Sequence, residues 1–437
     1  MESEAGYQQS KPPKSMLPFS ILPPELNTDI LLRLPVSSVL IIRSVSKSCL
    51  AFTSTPEFIK AHLNVSANHK ILLSCSQPNF NLKECSFTSL LNSFVLDTSD
   101  LDCSMTSYVW FVVGSVNGLI CLSNTENELF LWNPSTRKHK QLPDFTFKFK
   151  NAERFIYGFG YDECHDDYKV VACIYPPGFL PLFGDYVKIY SLKDDSWRSI
   201  SIPQDWVKSF NCGKFVNGKL NWAYNSNCTG PFWRKGRNII SLDLADDKWE
   251  KVEAPCYSEE DGIFVLGVLE NNLSVICNGN YEGTDLDLWV RKEYGVKESW
   301  TKMFTFKYPH PYPSLMFLFY PPHLASNKGK VLLMCGKTFV LYNLKGESIT
   351  HPEFTTFRSD LVSVESTYLE SLVSPILQND QGHNKMKGAE AHMDAIDLVV
   401  KWSLSFALTK KRVSNQSYLC CMLNVDCAWD SLACAVF

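Results

Sequence analysis

Signals for export and for membrane insertion are missing from this chain of 437 residues. The first fifteen residues are polar and contain no apolar segment of the kind that opens a secretory leader. No apolar run reaches the roughly 18 residues that a membrane-spanning helix needs. We therefore expect neither a leader nor a membrane partner, and a cytoplasmic or nuclear location.

Motifs for catalysis are also lacking, since the chain contains no phosphate-binding loop, no G-x-S-x-G, no H-E-x-x-H and no dinucleotide fingerprint. The nine histidines are dispersed. Paired acids at Asp166-Asp167, Asp194-Asp195 and Asp246-Asp247 would suit acid–base catalysis. They fall at the tips of predicted hairpins, however, where Asp is favoured for turn geometry. We expect a protein that is not an enzyme and has no catalytic residue, metal or cofactor.

Excess basic charge is absent, because 42 Lys and Arg face 46 Asp and Glu and give a net charge of −4. A nucleic-acid partner would call for a basic stripe, so none is expected. The 16 cysteines include no C-x-x-C pair, and Cys121, Cys173, Cys277 and Cys335 lie in strand-like segments. This pattern predicts reduced, buried thiols rather than disulfides or a zinc site.

What the sequence does contain begins with helices over residues 20 to 63. Pro23 and Pro24 mark the start of the first helix, and Pro35 ends it. Ser37 or Ser38 is the predicted N-cap of a second helix, and a third begins at Thr55-Pro56. The apolar faces exceed what forty residues can bury, so they pack on the rest of the chain or on a partner protein.

The motifs in this segment resemble the F-box of plant F-box proteins in order and spacing. They are Leu22-Pro23-Pro24-Glu25-Leu26, Ile30 to Val36, Arg43 to Ser48, and Pro56 to Ile59. The resemblance implies binding to a Skp-type adaptor, and through it to a cullin and a RING subunit. The positions that match the family's adaptor contacts are Leu22, Pro23, Leu26, Ile30, Leu34, Pro35, Val36, Leu40 and Val45. The chain departs from the family at Cys49, where a Trp is usual.

From residue 68 onward, tight-turn dipeptides followed by strand-like segments recur about every fifty residues. They are His69-Lys70, Asn117-Gly118, Asp166-Asp167, Asn217-Gly218, Asn271-Asn272 and Lys328-Gly329. A second series of hairpins ends on Trp197, Trp249 and Trp300, again about fifty residues apart. Two hairpins per repeat make a four-stranded unit, the size of a kelch-type propeller blade, and each Trp can pack between neighbouring blades.

The predicted fold is therefore mainly β. A short helical F-box precedes a kelch-like β-propeller of about six four-stranded blades, and an irregular extension ends the chain. The first unit, residues 68 to 105, is the least regular, so strands from both ends of the domain are expected to complete the ring. The predicted domains are a disordered N-terminus (1–19), the F-box (20–63), the propeller (68–375) and a divergent tail (376–437), partly disordered or helical.

The repeats carry a second resemblance, to the plant F-box-associated domain. It rests on Gly114 to Leu119, Leu131 to Lys138, Tyr157 to Asp162, Asp166 to Val171 and, at the domain's usual end, Tyr368 to Val373. That family includes the S-locus F-box proteins of pollen. The resemblance implies a receptor that holds a target protein for ubiquitination and proteasomal degradation, with an S-locus ribonuclease as one candidate target.

The target is expected on one face of the ring, because the long and variable loops all emerge there and loops carry recognition. Exposed Trp, Tyr and Arg side chains dominate interface energetics. The alternative is that these aromatics fill small cores of the loops themselves. The predicted target-binding residues are Phe179, Phe183, Phe232, Trp233, Arg234, Tyr308 and Tyr312.

A competing function is a propeller that binds or converts a small molecule and has no ligase role. That hypothesis predicts a pocket on the propeller axis with convergent polar groups or a metal.

Overall fold

The computed structural model divides the chain into two compact units, which are described separately. One takes in residues 1–58 and 385–437, and the other runs from Ile59 to Asn384. The structure describes residues 24–66, 68–75, 81–93, 98–101, 110–145, 154–175, 187–201, 212–224, 238–255, 264–277, 285–293, 296, 299–307, 323–327, 329–335, 338–343, 348–350 and 362–376. The predicted helix in the tail lies outside these residues.

Four helices follow one another at the start of the described chain. They are α1 (Pro24–Leu32), α2 (Val36–Val45), α3 (Lys47–Thr53) and α4 (Pro56–Val65). The start of α1 at Pro24 agrees with the sequence, and so does α4, where Thr55 Oγ1 accepts a hydrogen bond of 3.2 Å from the Phe58 amide. The helix α3 was not predicted.

Local capping explains both differences between the predicted and observed helices. Ser46 has an extended backbone that separates α2 from α3, and its hydroxyl accepts a hydrogen bond of 3.1 Å from the Cys49 amide. The prediction that Ser37 or Ser38 caps α2 is wrong, because Pro35 stands at the N-cap with no side-chain bond. Proline fits there since its fixed φ suits a helix entry.

Six antiparallel sheets of four strands make up the rest of the fold. Blade 1 holds β4 (Trp110–Val116), β5 (Leu119–Asn124), β6 (Leu129–Asn133) and β7 (Lys138–Gln141). Blade 2 holds β8 (Arg154–Asp162), β9 (Asp167–Tyr175), β10 (Val187–Ser191) and β11 (Ser196–Ile200). Blade 3 holds β12 (Lys214–Val216), β13 (Lys219–Tyr224), β14 (Asn238–Asp243) and β15 (Trp249–Val252).

The remaining blades repeat the same order of strands. Blade 4 holds β16 (Phe264–Leu269), β17 (Asn272–Cys277), β18 (Asp285–Arg291) and β19 (Trp300–Lys307). Blade 5 holds β20 (His323–Asn327), β21 (Lys330–Cys335), β22 (Thr338–Asn343) and β23 (Ser348–Thr350). Blade 6 joins β24 (Val362–Leu369) to β1 (His69–Cys75), β2 (Asn81–Ser86) and β3 (Thr98–Asp100).

The blades form a closed six-bladed ring, as the repeat predicted. The first strands of consecutive blades contact one another in cyclic order, from β4 round to β24 and back to β4. Strand β24 pairs with β1, so blade 6 takes strands from both ends of the domain. The interpretation of His69-Lys70 as a tight turn is wrong, because both residues already belong to β1 and pair with Leu369 and Tyr368.

The predicted Asn-Gly turns have the backbone that their residues favour. Asn117 and Gly118 have φ of 53° and 82°, and Asn217 and Gly218 have φ of 48° and 76°. Two consecutive positive φ angles match the twist of a two-residue hairpin. Asp166, at the tip between β8 and β9, also has a positive φ. These hairpins join the first two strands of blades 1 to 3.

A fifth helix, α5 (Phe87–Ser93), was not predicted and lies between β2 and β3. Its Phe87, Leu90 and Leu91 are buried. The apolar core lies between neighbouring blades rather than within one sheet. For example, one cluster joins Leu131 of blade 1 to Val170 and Tyr190 of blade 2.

Alternating strand direction sorts the connections onto two faces. Turns between the first and second strands, and between the third and fourth, lie on one face, here called the turn face. All other connections lie on the opposite face, here called the loop face. The chain enters the propeller at the turn face, where Ser66 Oγ donates a hydrogen bond of 3.1 Å to the Glu370 carbonyl oxygen.

Candidate interaction surfaces of the helical unit and the propeller

The helical unit exposes large apolar side chains although it has buried others. Leu31, Val36, Val39 and Ile42 form its buried set. Leu26, Ile41, Leu50 and Phe52 are exposed to 51%, 41%, 48% and 41%. A unit this small gains nothing from four exposed apolar side chains in water, so this set, here called the apolar surface, is suited to a protein partner.

The predicted adaptor contacts divide by burial. Leu26 and Pro35 are exposed, Ile30, Leu34, Leu40 and Val45 are half-buried, and Val36 is buried within the unit. Leu22 and Pro23 lie outside the described residues. The contact assignment itself stays a prediction for all nine positions.

Sequence reasoning missed Ile41, Leu50 and Phe52. The continuous apolar run from Val39 to Ile42 was the signal for Ile41, since such a run cannot bury every side chain on one helix face. Leu50 and Phe52 lie on α3, which the sequence pattern did not reveal. The Phe52 ring lies 5.3 Å from that of Phe58.

A single arginine ties α3 to α2. Arg43 donates hydrogen bonds to the Thr53 carbonyl oxygen at 2.6 Å and to Thr53 Oγ1 at 3.3 Å. Thr53 is fully buried, and burial lowers the pKa of the Arg43 guanidinium. These bonds fix the helix that carries Leu50 and Phe52. Cys49, at the position of the family's usual Trp, is half-buried on the same helix.

All of the predicted target-binding residues lie outside the described part of the chain. They are Phe179, Phe183, Phe232, Trp233, Arg234, Tyr308 and Tyr312. The structure describes the strands that flank them. The segments 176–186, 225–237 and 308–322 each connect strands at the loop face. The β5–β6 connection at this face is short, and the Asn124 side chain accepts hydrogen bonds from the amides of Glu126 and Glu128 that close the turn.

Two of the six paired acids, Asp195 and Asp247, link neighbouring blades. Asp195 pairs with Lys140 of the preceding blade at 2.9 Å. Arg198 donates to Asp247 of the following blade at 2.7 Å. Both aspartates have positive φ at hairpin tips. Burial raises the pKa of Asp195, but the hydrogen bonds from Tyr190 and Lys140 outweigh it and the pKa is lowered overall.

A buried ion pair links blades 2 and 3. Lys169 Nζ lies 2.7 Å from Asp162 Oδ2 and donates to the Leu244 carbonyl oxygen at 2.5 Å. Desolvation would raise the pKa of Asp162, but the hydrogen bonds from Lys169 and His165 lower it overall. This arrangement satisfies a charge that would otherwise be costly to bury.

A metal-binding cluster and a membrane-spanning helix are both absent from the residues that the structure describes. Among them, no three His, Cys, Asp or Glu side chains are placed to hold a metal ion. No helix there is long and apolar enough to cross a membrane.

Comparison with known proteins identifies both parts of the chain. The F-box domain family matches residues 19–60, and the F-box associated beta propeller domain family matches residues 66–375. The second match covers more than half of the chain. The protein belongs to the F-box associated β-propeller family.

Two curated proteins of Arabidopsis thaliana are similar to most of the chain. An F-box/kelch-repeat protein from Arabidopsis thaliana is 31% identical over 368 residues, which cover 81% of this chain and 96% of the relative. The Arabidopsis F-box protein CPR1 is 30% identical over 358 residues, which cover 76% of this chain and 84% of the relative. The two family matches confirm the expectation of an F-box followed by a propeller.

Proposed function

We propose that this chain is the substrate-recognition subunit of a Skp–cullin–F-box E3 ubiquitin ligase. The apolar surface on the F-box helices is the observation that carries this proposal. It offers Leu26, Ile41, Leu50 and Phe52 to a Skp-type adaptor, which in turn connects the chain to a cullin and a RING subunit. Burying them on a partner removes their apolar area from water, which drives association.

The mechanism is proximity rather than chemistry by this chain. The ligase brings a conjugating enzyme that carries ubiquitin, while the propeller holds a target protein. Keeping both on one scaffold raises the effective concentration of a target lysine at the enzyme. A non-catalytic role agrees with the placement of the paired acids, which are engaged in turns and between blades. Such a subunit acts in the cytoplasm or nucleus.

The target binds, in this proposal, on the loop face. Support comes from the direction of the chain, because residues 59–66 join the propeller at the turn face and most of the longer connections emerge on the other side. The β2–β3 connection, which carries α5, is the exception and lies on the turn face. The residues proposed to contact the target are Phe179, Phe183, Phe232, Trp233, Arg234, Tyr308 and Tyr312. An S-locus ribonuclease is a candidate target by subfamily resemblance.

The test is co-purification of a Skp-type adaptor with the full chain. Leu26→Asp combined with Leu50→Asp puts two charges on the apolar surface, and we expect the adaptor to be lost. Leu26→Asp with Leu34→Asp should act in the same way. The matched control, Lys60→Asp, changes an exposed residue of α4 outside this surface and should retain the adaptor.

Circular dichroism and the thermal midpoint of each variant show whether the propeller stays folded. A folded double variant that retains as much adaptor as the unaltered chain contradicts the proposal. Deleting residues 377–437 tests the proposed domain boundaries, and adaptor binding should survive the deletion. Loss of the adaptor would assign the tail to the F-box unit.

A further inference from the structure

A cavity of about 640 Å³ lies among the first strands of the blades, within the propeller unit. Its lining comes from β4, β8, β12, β16 and β24, the innermost strands of five blades. It reaches the turn face, because Asn117, Glu270 and Asn271 line it and belong to turns between first and second strands. Its volume falls within the roughly 300–1,000 Å³ of small-molecule sites. The cavity is therefore distinct from the loop face proposed for the target.

One cation lines this cavity without a described partner. Lys214 begins β12, and its backbone carbonyl accepts a hydrogen bond from Asn221. Within the described chain, no hydrogen bond or ion pair reaches its ammonium group. Burial lowers the pKa of Lys214, and the nearby Cys212 thiol opposes that shift. An ammonium held this way is costly unless an anion accompanies it.

The rest of the lining restricts which anion fits. Two carboxylates, Glu270 and Glu365, also line the cavity, and Ser74 Oγ donates to Glu365 Oε1 at 2.5 Å. A compact polyanion would meet these carboxylates and be repelled. Apolar walls come from the half-buried residues Val112, Phe215 and Val268 of the inner strands. Only an anion of single charge with an apolar body matches all three features.

We propose that this cavity binds a small organic monocarboxylate that has an apolar body and a hydroxyl or amino group. Lys214 is the residue that binds its carboxylate. The hydroxyl or amino group donates to the carboxylate of Glu270 or of Glu365. This site goes beyond the ligase role and does not depend on it. It gives the propeller a ligand of its own, on the face opposite the target.

The test uses the purified full chain and three probes: 3-phenyllactate, phenylalanine and 4-hydroxybenzoate. Isothermal titration calorimetry should show saturable binding of at least one probe. The neutral analogue 2-phenylethanol and the polyanion citrate should bind at least about tenfold more weakly, as expected for loss of one charge-assisted contact.

Two variants test the location of the site. Lys214→Met keeps the aliphatic stem and removes the charge, and it should weaken binding about 10- to 100-fold. Gly114→Val should narrow the cavity, since Gly114 lines it and an added Cβ meets only Phe159, at 3.6 and 3.8 Å. Lys248→Met, at an exposed hairpin tip of the same blade, is the control and should bind like the unaltered chain.

Absence of saturable binding by all three probes overturns the proposal. Binding that Lys214→Met and Gly114→Val both leave unchanged overturns it as well, because the ligand would then lie elsewhere. An unchanged thermal midpoint and circular dichroism spectrum of each variant show that the propeller is folded. Failure of this proposal leaves the ligase role untouched, since adaptor binding is measured separately.

Discussion

The indole Nε1 of Trp300 donates a hydrogen bond of 2.8 Å to the carbonyl oxygen of Glu253, which follows the last strand of the preceding blade. Trp249 makes the same bond to Ser201 at 2.9 Å, and Trp197 makes it to Pro143 at 2.8 Å. The same type of hydrogen bond thus recurs at three successive blade interfaces. The repeat of Trp at about fifty residues is the sequence trace of these contacts.

Replacing these tryptophans tests the interblade bond. Trp300 is 8% exposed, so Trp300→Phe should lower the free energy of unfolding by about 2 kcal/mol, through loss of the bond and of ring area. The Trp197 bond is exposed, and Trp197→Phe should cost about 1 kcal/mol or less. Denaturant unfolding measures both. Equal costs for the two variants would contradict the role given to burial.

The two Asn-Gly turns offer a matched pair of glycines. A Cβ at Gly118 would lie 2.5 Å from Ser371 Cβ and 2.6 Å from the Leu369 carbonyl oxygen, whereas one at Gly218 meets nothing within 4 Å. Gly218→Ala should lower the free energy of unfolding by about 1–2 kcal/mol, because of the positive φ alone. Gly118→Ala should lower the free energy of unfolding by about 1–3 kcal/mol more than Gly218→Ala, because the backbone around Leu369 and Ser371 must move. Thermal and denaturant unfolding of both variants check this order, and equal losses would refute it.

Ring closure also depends on Asn133. Its Nδ2 donates to the Val373 carbonyl oxygen at 2.7 Å and to the Ser371 carbonyl oxygen at 3.1 Å, and the side chain is fully buried. Asn133→Ala leaves buried carbonyl groups without these donors, and we expect a loss of about 2–3 kcal/mol. Hydrogen exchange followed by mass spectrometry should show faster exchange in β24 than in β12. Equal acceleration in both strands would indicate general destabilisation and not a released closure.

Acid should weaken the link between blades 2 and 3. The pKa of Asp162 is lowered in the folded chain, so its contribution to stability is present above its usual value of 3.8 and is lost as pH falls through the lower folded value. Asp162→Asn removes this titration. The free energy of unfolding, measured with urea between pH 6 and 2.5, should therefore fall less steeply at acid pH in the variant than in the unaltered chain. Parallel pH dependences of the two proteins would exclude Asp162 as the cause.

Alkylation should distinguish the cysteines. Among the free cysteines, Cys121, Cys173 and Cys277 are buried and Cys164 is exposed. Burial raises the pKa of the Cys121 and Cys173 thiols, which keeps the reactive thiolate form scarce. Iodoacetamide on the folded chain should modify Cys164 first, as read by peptide mass spectrometry. Early modification of Cys121 would mean that the interface between blades 1 and 2 opens readily.

The sequence by itself determined the features that depend on neighbouring residues. Asn117-Gly118 and Asn217-Gly218 specify tight hairpins because they accept positive φ, and Pro24 and Pro56 mark helix starts because proline suits the first turn. The spacing of the hairpins and of the tryptophans gave the number of blades. Two helices, α3 and α5, escaped because each has only seven residues, too few for an apolar period to appear.

Only the tertiary structure decided what depends on residues far apart in the chain. Strand β24 pairs with β1, and Asn133 donates a hydrogen bond to the Val373 carbonyl oxygen. Both contacts join segments that are distant in the chain, and no local sequence pattern encodes them. The same is true of Lys214, which looks like any strand lysine until five inner strands surround it. Local backbone preference fixes turns and helix ends, whereas closure of the ring decides which polar groups are buried and which apolar ones stay exposed.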